Sequence, residues 1–321
     1  MHHFLTFVLM FNPIELQELQ LITSMARLSS YPRHLGTASA AESYGAYMWS
    51  MAISTAFSPL VHALEVGFRN ALNKELSIHY GNGWFDYWVT KDANELRSKG
   101  TIQAGKLSTG ERLIQEAIKK ITSRDYPNGA PPGYKPAWQR VLAEMTFGFW
   151  VNFLVKRFWD INSKSKLWPN HVTTVFPGAP SHMRAVGPLH KAFDEIVNLR
   201  NRIHHHEPLW KHHTVNSCSD ALIHLNGQLT STLTKLDYLG CGQRRALERY
   251  GVVAAIEELC TQSAFDRFAG RSKGYSKPYR LAKKDLGLLK KQTKDIDCVW
   301  VTSDTSDTVQ LVIRNGNRRF F

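Results

Sequence analysis

The stretch NLRNRIHHHEPLW, residues 198–210, places Arg200, Asn201 and Arg202 just ahead of His204, His205 and His206, with His212 and His213 close behind. An imidazole moves a proton near neutral pH. A guanidinium grips phosphate oxygens in pairs and stabilises the extra negative charge of a phosphorane. The amide of Asn201 can orient either group. These are the parts needed to cleave RNA without a metal. The ribose 2′-hydroxyl attacks the adjacent phosphorus, a histidine takes or gives the proton, and the arginine holds the charge. DNA lacks that hydroxyl and would be spared.

Spacing decides whether the groups can meet. On a helix, residues four apart lie about 40° apart in projection, which suits Arg200 and His204. Residues five apart lie about 140° apart, so a perfect helix would separate Arg200 from His205. Pro208 pushes Glu207 towards extended geometry and histidine is a mediocre helix former, so the turn at 204–207 is expected to loosen and swing a histidine beside Arg200. Two rival readings stand beside this one. Metal binding is disfavoured, because a helical zinc pair wants ligands four apart and the positions four beyond the three histidines are Pro208, Leu209 and Trp210. The second rival is a solvated helix end, with Arg200 and Arg202 paired to Asp194, Glu195 or Glu207. No metal and no cofactor is expected.

The elements that must hold these residues are almost all helical in pattern. Asn12 and Pro13 can start a helix that runs to about Leu28 and stops at YPRHLG. A second begins with Pro59 in its first turn and carries Leu60, Leu64, Phe68, Leu72 and Leu76 every four residues. A third covers about 110–123. DYPNGAPPGYKP (125–136) is a loop. The apolar run AWQRVLAEMTFGFWVNFLVKRFW reads as one central core helix. Pro188 opens the helix that leads into Arg200, with Leu189, Phe193, Ile196, Leu199 and Ile203 on its buried side. Amphipathic runs at 217–237 and 243–260 follow. DCVWVT and TVQLVIRN read as strands joined by SDTSD.

The 321 residues carry a net charge of +13 and are 43% hydrophobic, which describes a globular chain and favours polyanionic partners. Cys218, Cys241, Cys260 and Cys298 form no CxxC pair, which fits a reducing, cytoplasmic setting. The apolar start Phe4–Phe11 lacks the marks of a signal peptide, and no apolar run approaches the roughly 18 residues that span a bilayer, so no membrane association is expected. Residues 267–291 carry nine Lys/Arg against one acid, Asp285, with Phe268, Tyr275 and Tyr279 interleaved. Arg202, Arg271, Lys273, Lys277, Arg280, Lys283 and Lys284 are therefore candidate RNA-binding residues, a basic solvated face being the alternative.

VNLRNRIHHHEPLW resembles the signature of the Abi-like (abortive infection) proteins, a branch of the HEPN superfamily: Arg, four to six residues, then His, often with Asn after the Arg. Arg200-Asn201-x-x-x-His205 fits it. LEVGFRNALNKELSIHYGNGWF and EMTFGFWVNFLVKRFW resemble two further blocks of the family in the same order, so the likeness covers roughly residues 14–215. It implies an all-α, HEPN-type helical bundle with extra N-terminal helices. It also implies metal-independent RNase activity, a role in phage defence or a toxin–antitoxin system, a homodimer that completes the site, and a cognate antitoxin of protein or small RNA. Carried over, Arg200 and His205 match the catalytic pair and Asn201 its polar partner, while His204 and His206 satisfy a loose spacing. Arg69 lies ten residues before His79, outside that spacing, and Arg69 and Asn70 read as structural residues or as support from a neighbouring helix, together with Glu65. The aromatic set Trp84, Phe85, Tyr87 and Trp88 reads as core, with base stacking as the alternative. The expected organisation is a helical domain over 1–265 and a basic segment over 266–321 that can form a β-hairpin. An RNA-binding module that does not cut, or a scaffold in a defence complex, remain the other readings.

Overall fold

The computed structural model describes residues 13–162, 165–185 and 187–271, with the short segments 275–278, 298–302 and 308–312. The apolar start Phe4–Phe11, the Asn12 cap, Tyr279, Arg280, and Lys273, Lys283 and Lys284 lie outside the described residues. The fold is all-α with a small terminal sheet. In chain order the helices are α1 (Pro13–Thr23), α2 (Met25–Leu28), α3 (Ser30–Leu35), α4 (Ala40–Tyr80), α5 (Trp84–Ser98), α6 (Thr109–Asp125) and α7 (Trp138–Glu144). There follow α8 (Phe147–Val151), α9 (Val172–Val175), α10 (Pro188–His204), α11 (Cys218–Leu239), α12 (Cys241–Arg249), α13 (Val252–Leu259) and α14 (Gln262–Phe268).

Helix α4 overturns one expectation. Pro59 does not open a helix; it sits inside one of 41 residues. Its missing N–H leaves the Thr55 carbonyl without its helical donor. The apolar stripe nevertheless runs straight through, with Ala46, Trp49, Ile53, Phe57, Leu60, Leu64, Phe68, Leu72 and Leu76 all buried at spacings of three and four. The stretch 45–64 carries no Asp, Glu, Lys or Arg. Consequently α4 contains an 18-residue window of mean hydropathy 1.2 and could cross a bilayer by length and composition, which corrects the expectation that no segment qualifies. Its burial is one-sided, the pattern of a helix that covers a protein core.

The chain divides into two compact units. The first takes Met1–Leu60, Arg202–Ser231 and Leu247–Phe321. Ser24 at φ 68 separates α1 from α2, so the first helix ends before Leu28. YPRHL forms most of α3 rather than stopping a helix, and Gly36 ends it in the left-handed region at φ 64. Tyr31 on α3 is fully buried with its ring 5.3 Å from that of Trp210. Trp49 on α4 packs edge-on to Phe265 at 5.1 Å and donates to the Leu259 carbonyl. Gly45 is required here, since a Cβ would stand 2.0 Å from the Phe268 carbonyl oxygen. The run expected as one helix over 243–260 breaks at Gly251, whose φ of 79 suits glycine. Strand β1 (Tyr275–Pro278) pairs parallel with β2 (Cys298–Thr302), which pairs antiparallel with β3 (Thr308–Val312). The expected hairpin is thus present in register Cys298 to Val312 through Thr302 to Thr308, and β1 adds a strand that alternation did not reveal.

The second unit takes Val61–Asn201 and Thr232–Ala246. Helix α6 forms where its pattern places it and starts in a capping box between Ser108 and Glu111. The expected central core helix does not form as one piece. Met145 and Thr146 are extended, which divides α7 from α8, and 3₁₀ turns follow at Asn152–Leu154 and Lys156–Phe158. The reason is the apolar surface on every side. Phe147, Phe149, Trp150, Val151, Phe153 and Leu154 are all buried, and a chain with no solvent face can fold back to bury each ring. Trp84, Phe85 and Trp88 are buried in the same core, while Tyr87 is half exposed.

Candidate active site

Helix α10 is amphipathic. Leu189, Ala192, Phe193, Ile196 and Leu199 are buried, and the Phe193 ring lies 4.7 Å from that of Phe68 on α4. Arg200 follows Phe193 by seven residues, two turns along the same face. Its Nε lies 3.8 Å from Glu65 Oε2, one turn before Phe68, and its Nη1 donates to Asn201 Oδ1 at 3.5 Å. The guanidinium is therefore held by Glu65 and Asn201, with Nε buried and without a hydrogen bond. A side chain 30% exposed keeps donors available to an anion. Arg69 stands one turn beyond Glu65, partly buried with its Nε also unbonded, and Asn70 is exposed.

The end of α10 is a Schellman turn. Glu207 N–H donates to the Arg202 carbonyl at 2.8 Å and His206 N–H to the Ile203 carbonyl at 3.2 Å. His204 is the last helical residue, His205 occupies the cap, and His206 takes the left-handed conformation at φ 55. The loosening expected at 204–207 is thus a defined turn. All three imidazoles are exposed, and the His206 carbonyl accepts from Arg27 Nη1 at 3.4 Å. Left-handed backbone costs a non-glycine residue about 1 kcal/mol. His206→Gly should therefore raise stability to urea by about 0.5–1 kcal/mol. A loss of stability would show that the His206 side chain outweighs its backbone.

The chain after the turn is anchored. Leu209, Trp210 and Val215 are buried, and His34 Nδ1 pairs with the Val215 carbonyl at 2.8 Å. Arg202 serves this anchor: its Nη2 donates to the carbonyls of Pro208 and Lys211, and its Nε is 3.7 Å from Glu207. Arg271 donates to the Gly36 carbonyl at 2.6 Å and pairs with Glu42 at 2.5 Å. Both candidate phosphate contacts thus have internal acceptors. Lys277 falls on β1. Burial pushes the Cys218 thiol up to about 11 and the Cys260 thiol up to about 12, so neither is a ready nucleophile.

One feature near the turn escaped the sequence. The His224 ring on α11 stacks on His212 at 4.7 Å, and His212 lies 4.0 Å from His213. Burial first, then the charges of His212 and Arg202, lowers the pKa of His224; burial, His213 and Arg202 lower that of His212. Below the ordinary value of 6.5 the unfolded chain takes up protons that these folded imidazoles refuse. Stability should therefore be full above that pH and fall as pH drops towards the depressed values. Urea midpoints measured between pH 5 and 7.5 should show this slope, and His224→Gln should flatten it; parallel slopes would contradict the assignment.

A family comparison covers this region. The profile of the Abi-like protein family matches residues 21–211, more than half of the chain. The chain belongs to the Abi-like protein family. The Abi-like match holds Glu65, Arg69, Arg200, Asn201 and all three histidines of the turn, and it ends before α11 and the basic C-terminal segment. Comparison with curated proteins and with solved structures finds no match.

Proposed function

We propose that this chain is a metal-independent endoribonuclease of an abortive-infection or toxin–antitoxin system, built on a HEPN-type site of Arg200, Asn201 and His205. The observation that carries the reading is the end of α10, where an arginine held by Glu65 and Asn201 precedes an exposed histidine at the helix cap, inside the Abi-like match. His205 takes the 2′-hydroxyl proton as its oxygen attacks phosphorus. Arg200 binds the equatorial oxygens as their charge grows, and Asn201 holds the guanidinium. The bond from phosphorus to the 5′-oxygen then breaks, and that oxygen must receive a proton. One imidazole cannot give and take in the same instant. A homodimer that brings two copies of 200–206 together supplies both acid and base, and a cognate antitoxin would restrain the activity.

A module that binds RNA without cutting fits the geometry less well. Arg202 and Arg271 already donate to internal carbonyls, and Arg271 also to Glu42, so they leave fewer donors for phosphate. Incubation of the purified protein with single-stranded RNA separates the readings. Cleavage is expected, and it should persist in excess EDTA because no step needs a Lewis acid. Loss on chelation in protein that stays folded, restored by one divalent ion, would contradict the mechanism; a gel shift without cutting would favour the module, and neither would favour a scaffold.

A further inference from the structure

Far along α4 from Glu65, three ligand-type side chains converge. Glu75 and His79 are four apart on α4, and His171 comes from the turn that begins α9. Glu75 Oε1 lies 2.8 Å from His171 Nδ1 and 3.3 Å from His79 Nε2, and the three ligand atoms lie within 4.8 Å of one another. We propose that Glu75, His79 and His171 bind a first-row transition-metal dication of the zinc class.

The donor set and its surroundings fit that ion. Two imidazoles and one carboxylate are the ligands of three-residue zinc sites, whereas calcium and magnesium want oxygen throughout. An ion about 2.0–2.2 Å from each donor would set them roughly 3.3 Å apart, close to the two separations from the Glu75 carboxylate, and the histidine nitrogens lie within 4.8 Å of one another. His171 is buried, and its second nitrogen, Nε2, lies 3.3 Å from the Tyr80 hydroxyl. The phenol hydroxyl is an acceptor as well as a donor and can accept from Nε2–H. This is the outer partner that fixes the tautomer of a metal-bound histidine. With Nδ1 on the ion, Nε2–H donates to Tyr80; without the ion, Nδ1–H donates to Glu75 and Tyr80 donates to Nε2. One tautomer change joins the two states. His79 is 49% exposed and gives the ion a path from solvent. Bound there, the ion would tie the segment before α9 to the end of α4.

The site is distinct from the proposed RNA-cleaving one. Glu75 follows Glu65 by ten residues, about 15 Å along the helix. The histidines at 204–206 are all exposed, and among the described residues they show no carboxylate-fixed geometry of this kind. The test uses the tag-free full chain, stripped with EDTA and titrated with Zn²⁺ alone by equilibrium dialysis, then with Co²⁺ followed by visible absorption. One tight equivalent is expected, with the intense bands of low-coordinate cobalt and a rise of several degrees in Tm at saturating Zn²⁺. His79→Ala, which alters an exposed side chain, should weaken binding at least about 100-fold, as should Glu75→Gln. A variant with His204, His205 and His206 all changed to Ala should bind like the parent. Unchanged affinity in His79→Ala and Glu75→Gln, loss in the triple variant, or no tight equivalent would overturn the proposal.

Discussion

Arg200→Ala should lower RNA cleavage by about 10²–10³-fold, the usual cost of removing one donor aimed at developing charge. The loss should fall on kcat, because the guanidinium gains most as the phosphorane forms. Folding should survive, since Arg200 is partly exposed and its contacts are a 3.8 Å pair with Glu65 and a 3.5 Å bond to Asn201. Arg200→Lys separates charge from geometry. Lysine keeps the charge but loses the fork that spans two oxygens, so it should recover only part of the rate. Single-turnover kinetics on a labelled oligoribonucleotide read both variants. A rate near that of the parent in folded Arg200→Ala would remove the arginine from the chemistry.

The second large effect belongs to the turn. His205→Ala should cost about 10²–10⁴ in rate, the span of general acid–base catalysis. The same change at His206 should cost much less, because the left-handed residue is placed by its backbone, whose carbonyl already accepts from Arg27. His204 is the last residue of α10 and provides the internal control. Full cleavage in His205→Ala with loss in His204→Ala or His206→Ala would move the proton to that neighbour. Near-UV circular dichroism on each variant keeps unfolding apart from lost chemistry.

The parts of this molecule that are local in sequence were legible in it. Pro188, the apolar positions of α10 and the awkward run of three histidines before Pro208 together mark a helix and its end, and the structure closes that end with a Schellman turn. The helical stripe of α6 and the strand-like runs of β2 and β3 are equally local signals. What failed was tertiary override. Pro59 reads as a helix start, yet burial on both sides of it carries α4 through. The aromatic run 138–160 reads as one helix because period alone cannot distinguish a continuous core helix from a chain folded upon itself. The contacts of Arg200 with Glu65, of His212 with His224 and of Glu75 with His171 join residues distant in sequence. Glu75 and His79 do share helical spacing, but a search for paired histidines passes over a carboxylate–imidazole pair.

The 2′-hydroxyl is the nucleophile in the proposed cleavage. An oligoribonucleotide with its preferred cleavage position mapped, and the same oligomer with a single 2′-deoxy substitution there, test it directly by mass spectrometry of the products. A 2′,3′-cyclic phosphate end is expected from the first and no cut at the substituted position in the second. Cleavage at the deoxy position, or a product with a simple 3′-hydroxyl end, would contradict it.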